Sequence, residues 1–384
     1  MTDRPIFDAA DPDAFFYVQM AALKSRKTLF LNLDDVQENE VPENISPYLE
    51  RDYISQVFAE TPLNHTAITL HTSGSTGKPK AVPHTWGHLM GDAAAIAKSV
   101  GITADANLST ILTVPLNHMF GYSYGFMLTN LFGFDRPRSR VVSPKSLLNA
   151  LNEAKNSVIL VTTPTHLKNY VESKIETFPY VSWIFCATSQ LPTDLNAKVN
   201  EKFGTHITDI YGCTEAGTLA YRNMSRSADE WHCLEGMALS QKEGRFIFET
   251  EYFDEPVIID DVLQITSPQS FEFIGRSSDL VKLGGKRQSL AGLACLVEEI
   301  PNVREAKFYL PASEPNARMV LFAAFEGPEN FAEIRDVLSK KIDPVFLPRQ
   351  TYEIDALPYT ENGKFLMSDL DRLYKEKSGK GAKS

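Results

Sequence analysis

The sequence predicts an α/β fold in two parts, a large N-terminal domain with mostly parallel sheets and helices and a small α+β C-terminal domain. Between about residues 66 and 215, short β-branched runs alternate with helical patterns, which is typical of parallel βα units. After about residue 275, strand-like runs surround one amphipathic helix near 331–342. The length of 384 residues also favours two domains over one.

Each element of the N-terminal part has a local signal. Residues 68–71 predict a strand that ends in a loop of glycine and serine. Thr85 is placed to cap a helix with apolar positions at helical spacing, and Gly101 is placed to close it. Two apolar runs predict buried strands, and a pattern ended by Gly204 predicts the helix that follows; these segments are 158–161, 183–186 and about 193–203.

Composition excludes several classes of function. The net charge of −11 and the lack of a basic face argue against a nucleic-acid partner. The N-terminus carries acids where a signal peptide needs positive charge, and no apolar run approaches the roughly 18 residues of a spanning helix. Four scattered cysteines fit a reducing compartment. We therefore expect a cytoplasmic protein without membrane insertion, and a solvated basic tail from about residue 375.

A loop rich in glycine and hydroxyl groups follows the first predicted strand. Its glycines let backbone N–H groups approach a polyphosphate, and its hydroxyls and lysines are donors to phosphate oxygens. The spacing is not that of a Walker loop, and a polar surface turn is the alternative interpretation. The candidate ATP-binding residues here are Thr72, Ser73, Gly74, Ser75, Thr76, Gly77 and Lys80.

Five further segments follow this loop in a fixed order. They are the segment PLNH ending at His118, YGCTE (211–215), Asp261 placed fourteen positions before Gly275, the run DLVKLGGKR (279–287), and LPYTENGK ending at Lys364. With TSGSTGKPK (72–80), this series resembles the adenylate-forming superfamily of acyl-CoA synthetases, nonribosomal-peptide adenylation domains and luciferases. The resemblance covers about residues 64–370.

The resemblance implies an enzyme that uses ATP and Mg²⁺ to convert a small carboxylic acid into acyl-AMP, with release of pyrophosphate. It implies that Glu215 is the magnesium ligand and that Thr214 bonds the α-phosphate. Tyr211 and Gly212 are implied to lie beside the adenine, with core packing as the alternative for Tyr211. Asp261 is implied to bind the ribose with Arg276, and Asp260 is the alternative ribose ligand.

The resemblance also implies domains at 1–275 and 280–384, joined by a hinge at 276–279. Asp279 is the expected pivot of a mobile C-terminal domain, and Lys364 is the expected catalytic lysine of adenylate formation. The second step would pass the acyl group to the thiol of CoA or to the phosphopantetheine of an acyl carrier protein. The residues expected on the acceptor side are Gly284, Gly285, Lys286 and Arg287.

The acid pocket is expected along the segment that follows His118. The predicted lining residues are Met119, Phe120, Gly121 and Tyr122, and Tyr124 is a further aromatic residue that could clamp a ring. His118 is a candidate catalytic residue that gates this pocket or orients the acid, and a core histidine is the alternative. No Asp or Glu occurs between Asp105 and Asp135, so an ammonium group would lack a partner there. We expect an aryl or acyl acid, with aryl ahead, and not an amino acid.

Several positions depart from the family pattern. They are Ala81, Trp86, Ile259, Asp260, Gly292, Ala294 and Met367, and the phosphate loop begins unusually near the N-terminus. A reduced N-terminal region puts the pocket walls and the thiol acceptor in doubt. A catalytically weakened homologue or a binding protein that keeps the fold is therefore an alternative.

A second motif competes with the ligase interpretation. The run from Gly121 to Gly125 matches G-x-S-x-G, the nucleophile elbow of α/β-hydrolases, with Ser123 as the candidate nucleophile. Asp194 and His206 follow in the order that such a triad needs. An esterase is thus a further alternative, and it requires a strand before Ser123 and a helix after it.

Overall fold

The structure is a computed structural model that describes residues 11–31, 45–73, 79–103, 105–189, 191–192, 194–225, 230–276, 280–311, 317–357 and 367–379. The chain forms two compact units. The first contains Met1–Ile259 with Gln264–Glu272, and the second contains Asp260–Leu263 with Phe273–Ser384. The predicted pivot Asp279 lies outside the described residues.

The first unit begins with a mixture of helices and strands, and its described elements after residue 203 are all strands. Its elements are α1 (Pro12–Lys24), β1 (Leu29–Leu31), a 3₁₀-helix (Ser46–Leu49), α2 (Arg51–Glu60), β2 (Thr66–Ser73), β3 (Pro79–Thr85), α3 (Trp86–Val100), β4 (Leu108–Leu112), α4 (Met119–Gly121), a π-helix (Tyr122–Leu128), α5 (Thr129–Phe132), α6 (Pro144–Glu153), β5 (Ser157–Thr162), α7 (Pro164–Val171), β6 (Trp183–Cys186), α8 (Leu195–Phe203), β7 (Ile207–Cys213), β8 (Gly217–Asn223), β9 (Glu230–Cys233), β10 (Ala238–Lys242), β11 (Arg245–Glu249) and β12 (Val257–Ile259).

The largest sheet of the first unit is mixed and has eight strands. Its last two strands are the hairpin β13 (Asp261–Ser267) and β14 (Ser270–Arg276), whose residues are divided between the two units. The strand order is β13-β14-β9-β8-β7-β6-β5-β4. Strands β4 to β7 pair in parallel, as predicted, whereas β8, β9 and β14 extend the sheet with antiparallel pairs. The α/β prediction is confirmed, and the parallel part is the block that contains the βα alternation.

The helix α3 forms where its cap and its apolar face predict it. Thr85 Oγ1 accepts a hydrogen bond from His88 N at 3.3 Å, and Gly101 closes the helix with a φ of +78°. Leu89 and Ile96 on one face are fully buried. Burial of each such side chain contributes about 1.5–3 kcal/mol relative to exposure. This packing fixes the position of every other residue on α3.

The second unit is an α+β domain, as predicted. Its elements are β15 (Leu280–Leu283), β16 (Lys286–Ser289), α9 (Leu290–Glu298), β17 (Val303–Tyr309), β18 (Val320–Phe325), α10 (Phe331–Lys341), a 3₁₀-helix (Pro344–Phe346), β19 (Gln350–Glu353) and α11 (Met367–Lys377). Strands β17, β18 and β19 form one sheet. A core that includes Leu293, Val297, Leu321 and Leu338 packs α9 and α10 against it. Among the described residues, no helix has the length and apolarity to cross a bilayer.

Candidate active site

The Y-G-C-T-E segment forms a tight hairpin between β7 and β8. Cys213 pairs with Gly217, so Thr214 and Glu215 lie in the three-residue turn at its tip. A Cβ on Gly212 would lie 2.1 Å from the carbonyl oxygen of Gly217, so only glycine allows this approach of the two strands. The motif thus presents a hydroxyl and a carboxylate side by side at the sheet edge where β7 ends.

The end of the predicted phosphate loop lies beside this hairpin. Lys80 Nζ lies 3.6 Å from Glu215 Oε1, and both side chains are largely exposed, at 67% and 43%. An exposed pair of this kind contributes about 0–1 kcal/mol to stability, so its position is more informative than its strength. Thr72 and Ser73 end β2 and Lys80 lies at the start of β3, which pairs with it. The residues 74–78 between them lie outside the described part, as do the side chains of Thr72 and Ser73.

Two buried histidines, His84 and His88, lie next to the turn of this hairpin. The Nε2 atom of His88 donates to the carbonyl oxygen of Ala216 at 2.8 Å, which leaves its Nδ1 atom to accept from Nδ1 of His84 at 3.2 Å. Burial lowers the pKa of His84 to about 3 and also lowers the pKa of His88. Both rings are therefore neutral near pH 7, and the pair fixes the backbone beside Thr214.

A cavity of about 210 Å³ joins the predicted acid pocket to the hairpin. It is lined by His118, Met119, Phe120, Ser123, Ala187, Thr188, Ile210, Gly212, Cys213, Thr214, Gly217 and Thr218. His118 is exposed, so the alternative of a core histidine is wrong. The same cavity thus contains both the acyl segment and the predicted α-phosphate ligand.

Two predicted pocket residues lie elsewhere. Tyr122 is fully buried and stacks on Phe126 at 5.0 Å, with Phe15 packed edge-on at 6.1 Å. Gly121 lies against the backbone of Pro115, because a Cβ there would be 2.1 Å from its carbonyl oxygen. Neither residue lines the cavity. The helical turn places them on the core side, so the assignment of both residues to the acid pocket is corrected.

The nucleophile elbow is also absent from the described structure around Ser123. This residue is buried inside the π-helix Tyr122–Leu128, and its Oγ donates to Oδ2 of Asp92 at 2.6 Å. His206 instead bonds Asn196 and Asn200, at 3.2 and 3.1 Å. Ser123 therefore has a carboxylate neighbour rather than a histidine base, and the esterase alternative fails.

The residues predicted to bind the adenine and the ribose lie on β7 and on the β13–β14 hairpin. Tyr211 is half-buried and packs edge-on against Trp231 at 5.7 Å and Phe271 at 5.6 Å, and its contact with the adenine stays a prediction. Asp261 begins β13 and Arg276 ends β14. Because these consecutive strands form a hairpin, the two residues lie at the same end of it.

The predicted acceptor side is a β-hairpin in the second unit. Gly284 and Gly285 have φ values of +56° and +81° and connect β15 with β16. Two consecutive positive φ values are the signature of a type I′ turn, which favours glycine. Lys286 follows the turn and pairs with Asp343. The side chain of Arg287 and the whole of Lys364 lie outside the described residues.

The residues present fit one magnesium ion held together with phosphates. Within the described ranges, no cluster of three or more potential metal-binding side chains occurs, so a protein-only cage is not formed there. Mg²⁺ typically uses one or two carboxylates together with substrate phosphates and waters. Glu215 at the exposed hairpin tip, beside Lys80, is a suitable single carboxylate ligand.

Two site residues have no counterpart in the sequence prediction. Asp92 is buried on α3, and its Oδ1 accepts from Thr218 N at 3.0 Å. A carboxylate on the apolar face of a helix was the available signal. Thr188 has a φ of +86° at the cavity wall, a conformation that costs a β-branched residue roughly 1–3 kcal/mol. Nothing in the sequence indicates that strain.

Known proteins resemble this chain in sequence and in fold. The profile of the AMP-binding enzyme family matches residues 6–242. A 4-coumarate–CoA ligase of Rhodobacter capsulatus is 27% identical over 293 residues, which are 76% of this chain and 73% of the relative. The o-succinylbenzoate CoA synthetase of Bacillus subtilis in complex with an acyl-adenylate superposes with a TM-score of 0.72 at 17% identity, over 92% of this chain and 80% of that one.

An anthranilate CoA ligase in complex with anthranoyl-AMP gives a TM-score of 0.69 at 17% identity, over 96% of this chain and 82% of that one. The structural likenesses establish the fold, and the family profile covers more than half of the chain. The ordered motifs, the shared cavity and the profile agree. The chain belongs to the AMP-binding enzyme family, whose activity is that of AMP-forming ligases.

Proposed function

We propose that the chain activates a small carboxylic acid with ATP and transfers the acyl group to a pantetheine thiol. The observation that carries the proposal is the single cavity that holds both the acyl segment at Met119 and the hairpin residue Thr214. An acid bound there has its carboxylate next to the turn that carries Glu215, which pairs with Lys80. This is the arrangement that attack of a carboxylate on a phosphate requires.

The first step forms a bond between a carboxylate oxygen and the α-phosphorus and breaks the bond from that phosphorus to pyrophosphate. Thr214 donates its hydroxyl to the α-phosphate, and Lys80 neutralises part of the charge. Magnesium held by Glu215 would supply further charge neutralisation. Lys364 adds a cation from the second unit during this step alone. In the second step a carbon–sulfur bond forms, the bond to AMP breaks and the thiol loses its proton.

The cavity favours a small acid. Its volume of about 210 Å³ is below the roughly 300–1,000 Å³ of pockets for drug-sized ligands. Phe120 at the wall offers an aromatic face. A benzoate-sized aryl acid or a short acyl chain fits these features better than a long fatty acid. The 4-coumarate, o-succinylbenzoate and anthranilate ligases named above also act on aryl acids.

The proposed acceptor is CoA, with an acyl carrier protein as the second candidate because both present the same pantetheine arm. Lys286 follows the Gly284–Gly285 turn and supplies positive charge there with Arg287. The four cysteines are few and scattered along the chain, which supports the proposal that the enzyme works in the reducing cytoplasm.

Acid-dependent exchange of labelled pyrophosphate into ATP tests the first step without any acceptor. We expect exchange with benzoates or short acyl acids and much weaker exchange with amino acids. Product analysis after addition of CoA or a holo carrier protein then identifies the acceptor. Lack of exchange with every acid class would refute the proposed function, and exchange with amino acids alone would refute the substrate class.

A further inference from the structure

Asp92 is a carboxyl group within the core of the first unit. It lies on α3 between the buried residues Leu89 and Ile96 and is itself 1% exposed. Burial raises its pKa to about 7, and hydrogen bonds from Ser123 and Thr218 oppose the rise. Burial of an unpaired carboxyl group costs folding free energy, and the mechanism of adenylate formation proposed above does not use Asp92.

The contacts of Asp92 determine the direction in which the Ser123 hydroxyl forms hydrogen bonds. Asp92 Oδ1 accepts from Thr218 N at 3.0 Å, and its Oδ2 accepts from Ser123 Oγ at 2.6 Å. Above pH 7, where the assay described below is run, Asp92 is ionised and has no proton to give, so the only proton of the Ser123 hydroxyl lies on this bond. The lone pairs of Ser123 Oγ are then its remaining hydrogen-bonding capacity. Ser123 lines the acid cavity, where it acts as an acceptor.

Gly217 lies between Asp92 and the cavity and has no side chain to separate them. Its φ is +76°, and a Cβ there would lie 2.9 Å from both Asp92 Oδ2 and Met119 Cε. Gly217 and Met119 line the same cavity as Ser123. The negative carboxylate is therefore separated from the cavity by a glycine backbone rather than by a side chain. The negative charge of Asp92 and the lone pairs of Ser123 Oγ both favour a ligand group that is a hydrogen-bond donor.

We propose that the acid activated here bears a hydrogen-bond donor, a hydroxyl or an amino group, remote from its carboxylate, and that this donor binds Ser123 Oγ in front of Asp92. The inference rests on the proposed function, because it names the acid that the same cavity takes. An acid with an apolar group at this place leaves the acceptor unpaired. Sites built to bond a substrate hydroxyl reject analogues that lack it, and we expect a preference of about tenfold or more.

Matched acid pairs test the preference in the full-length enzyme by acid-dependent pyrophosphate exchange at pH 8.5. Hydroxybenzoates and aminobenzoates are each compared with the methylbenzoate and methoxybenzoate substituted at the same ring position, and short hydroxy acids with their alkyl analogues. The hydroxyl and amino series distinguish the two kinds of donor. The readout is the ratio of kcat/KM within each pair.

Asp92→Asn tests the origin of the preference. Thr218 N still needs an acceptor, so the amide oxygen takes the place of Oδ1 and the amide nitrogen faces Ser123. That nitrogen donates to Ser123 Oγ and releases the serine proton toward the cavity. The variant should lose the preference for hydroxyl over methyl and improve relatively on methoxy acids. Ser123→Ala, a small change in a buried residue, should lose the preference without that gain.

Asp209→Asn is the matched control, because Asp209 is also a buried carboxyl group, bonded to Arg222 at 2.8 Å, and does not line the cavity. It should keep the wild-type ratios even if its stability falls. Equal kcat/KM for donor and methyl acids in the wild type would overturn the inference and leave the ligase intact. Equal losses on all acids in both Asp92→Asn and Ser123→Ala would also overturn it. No exchange with any acid would overturn the proposed function, and this inference with it.

Discussion

Lys80 Nζ and Glu215 Oε1 lie 3.6 Å apart, so the end of the phosphate loop and the tip of the β7–β8 hairpin meet at one point. The two residues come from different sheets of the first unit. The exposed ends of the two sheets converge there. In the proposed function, a polyphosphate bound at this point would face the Lys80 ammonium group and the Glu215 carboxylate, which is suited to hold magnesium.

Glu215→Gln should lower acyl-adenylate formation about 100- to 1,000-fold, in the range seen when one electrostatic contact to a transition state is removed. It should also shift the magnesium concentration for half-maximal exchange upward, because a neutral amide is a weaker ligand. Pyrophosphate exchange measured over a MgCl₂ series gives both values. Glu235→Gln is the matched control, since Glu235 forms an exposed pair with Lys98 at 3.0 Å and should keep wild-type exchange.

Lys364→Ala should separate the two half-reactions. Its charge is needed when the acid attacks and pyrophosphate leaves, so we expect acyl-adenylate formation to fall about 100- to 1,000-fold. Transfer from presynthesised acyl adenylate to the thiol should stay near the wild-type rate. Single-turnover assays of each step measure this. A parallel fall in both steps, or in neither, would rule out the role of Lys364 and the alternation of domains that it implies.

Charge reversal at Lys286 and Arg287 should weaken the second step selectively. The double variant Lys286→Glu with Arg287→Glu should raise the KM for CoA and slow thioester formation, while pyrophosphate exchange stays within a few-fold of wild type. Asp343 pairs with Lys286 in the native protein, so repulsion at this site adds to the effect. Lys340→Glu, which disrupts an exposed pair with Asp336 on α10, is the control. Equal loss in both half-reactions would contradict the assignment.

Asp92→Asn should change how stability depends on pH. The folded-state pKa of Asp92, about 7, is above the usual 3.8, so the folded protein binds more protons than the unfolded chain between about pH 4 and 7. The stability contributed by this group is present below pH 4 and is lost as the pH rises to 7. Relative to wild type, the variant should therefore gain up to roughly 4 kcal/mol across this window.

Urea unfolding of both proteins at a series of pH values measures that difference. The lowered pKa values of His84 and His88 also make stability depend on pH, but this contribution is common to both proteins and cancels. The exposed Asp52→Asn on α2 is the control and should show a nearly constant difference from wild type. A constant difference for Asp92→Asn as well would mean that the buried carboxyl group titrates normally in the folded protein.

The parts of the site that were predictable have local causes. Gly212 is needed because its strand approaches the carbonyl oxygen of Gly217 closely at the hairpin, and a glycine in a motif can be recognised without a structure. The cap at Thr85 and the end at Gly101 likewise depend on neighbouring residues only. The order of the motifs along the chain was enough to indicate that they form one site.

The features of the site that the sequence does not predict depend on contacts between segments distant in the chain. Asp92 lies on α3, outside the acid-free segment between Asp105 and Asp135, and only packing of α3 against the π-helix brings it to Ser123. Tyr122 was assigned to the pocket because an aromatic residue suits either a pocket or a core, and its contact with Phe15 decides for the core. A π-helix also breaks the regular helical spacing from which faces are predicted.

The π-helix Tyr122–Leu128 gives the protein a way to change its substrate by a change in length. A π-turn holds one residue more than an α-turn, so deletion of a single residue there can restore an α-helix. The flanking helices would keep their orientation, because the deletion removes the extra residue that the π-turn holds, and the residues within the turn would change position. Such a step would move Ser123 away from Asp92 and replace the cavity wall while β7, β8 and the nucleotide-binding turn stayed in place. Substrate choice could then evolve by insertion and deletion, independently of the chemistry of adenylation.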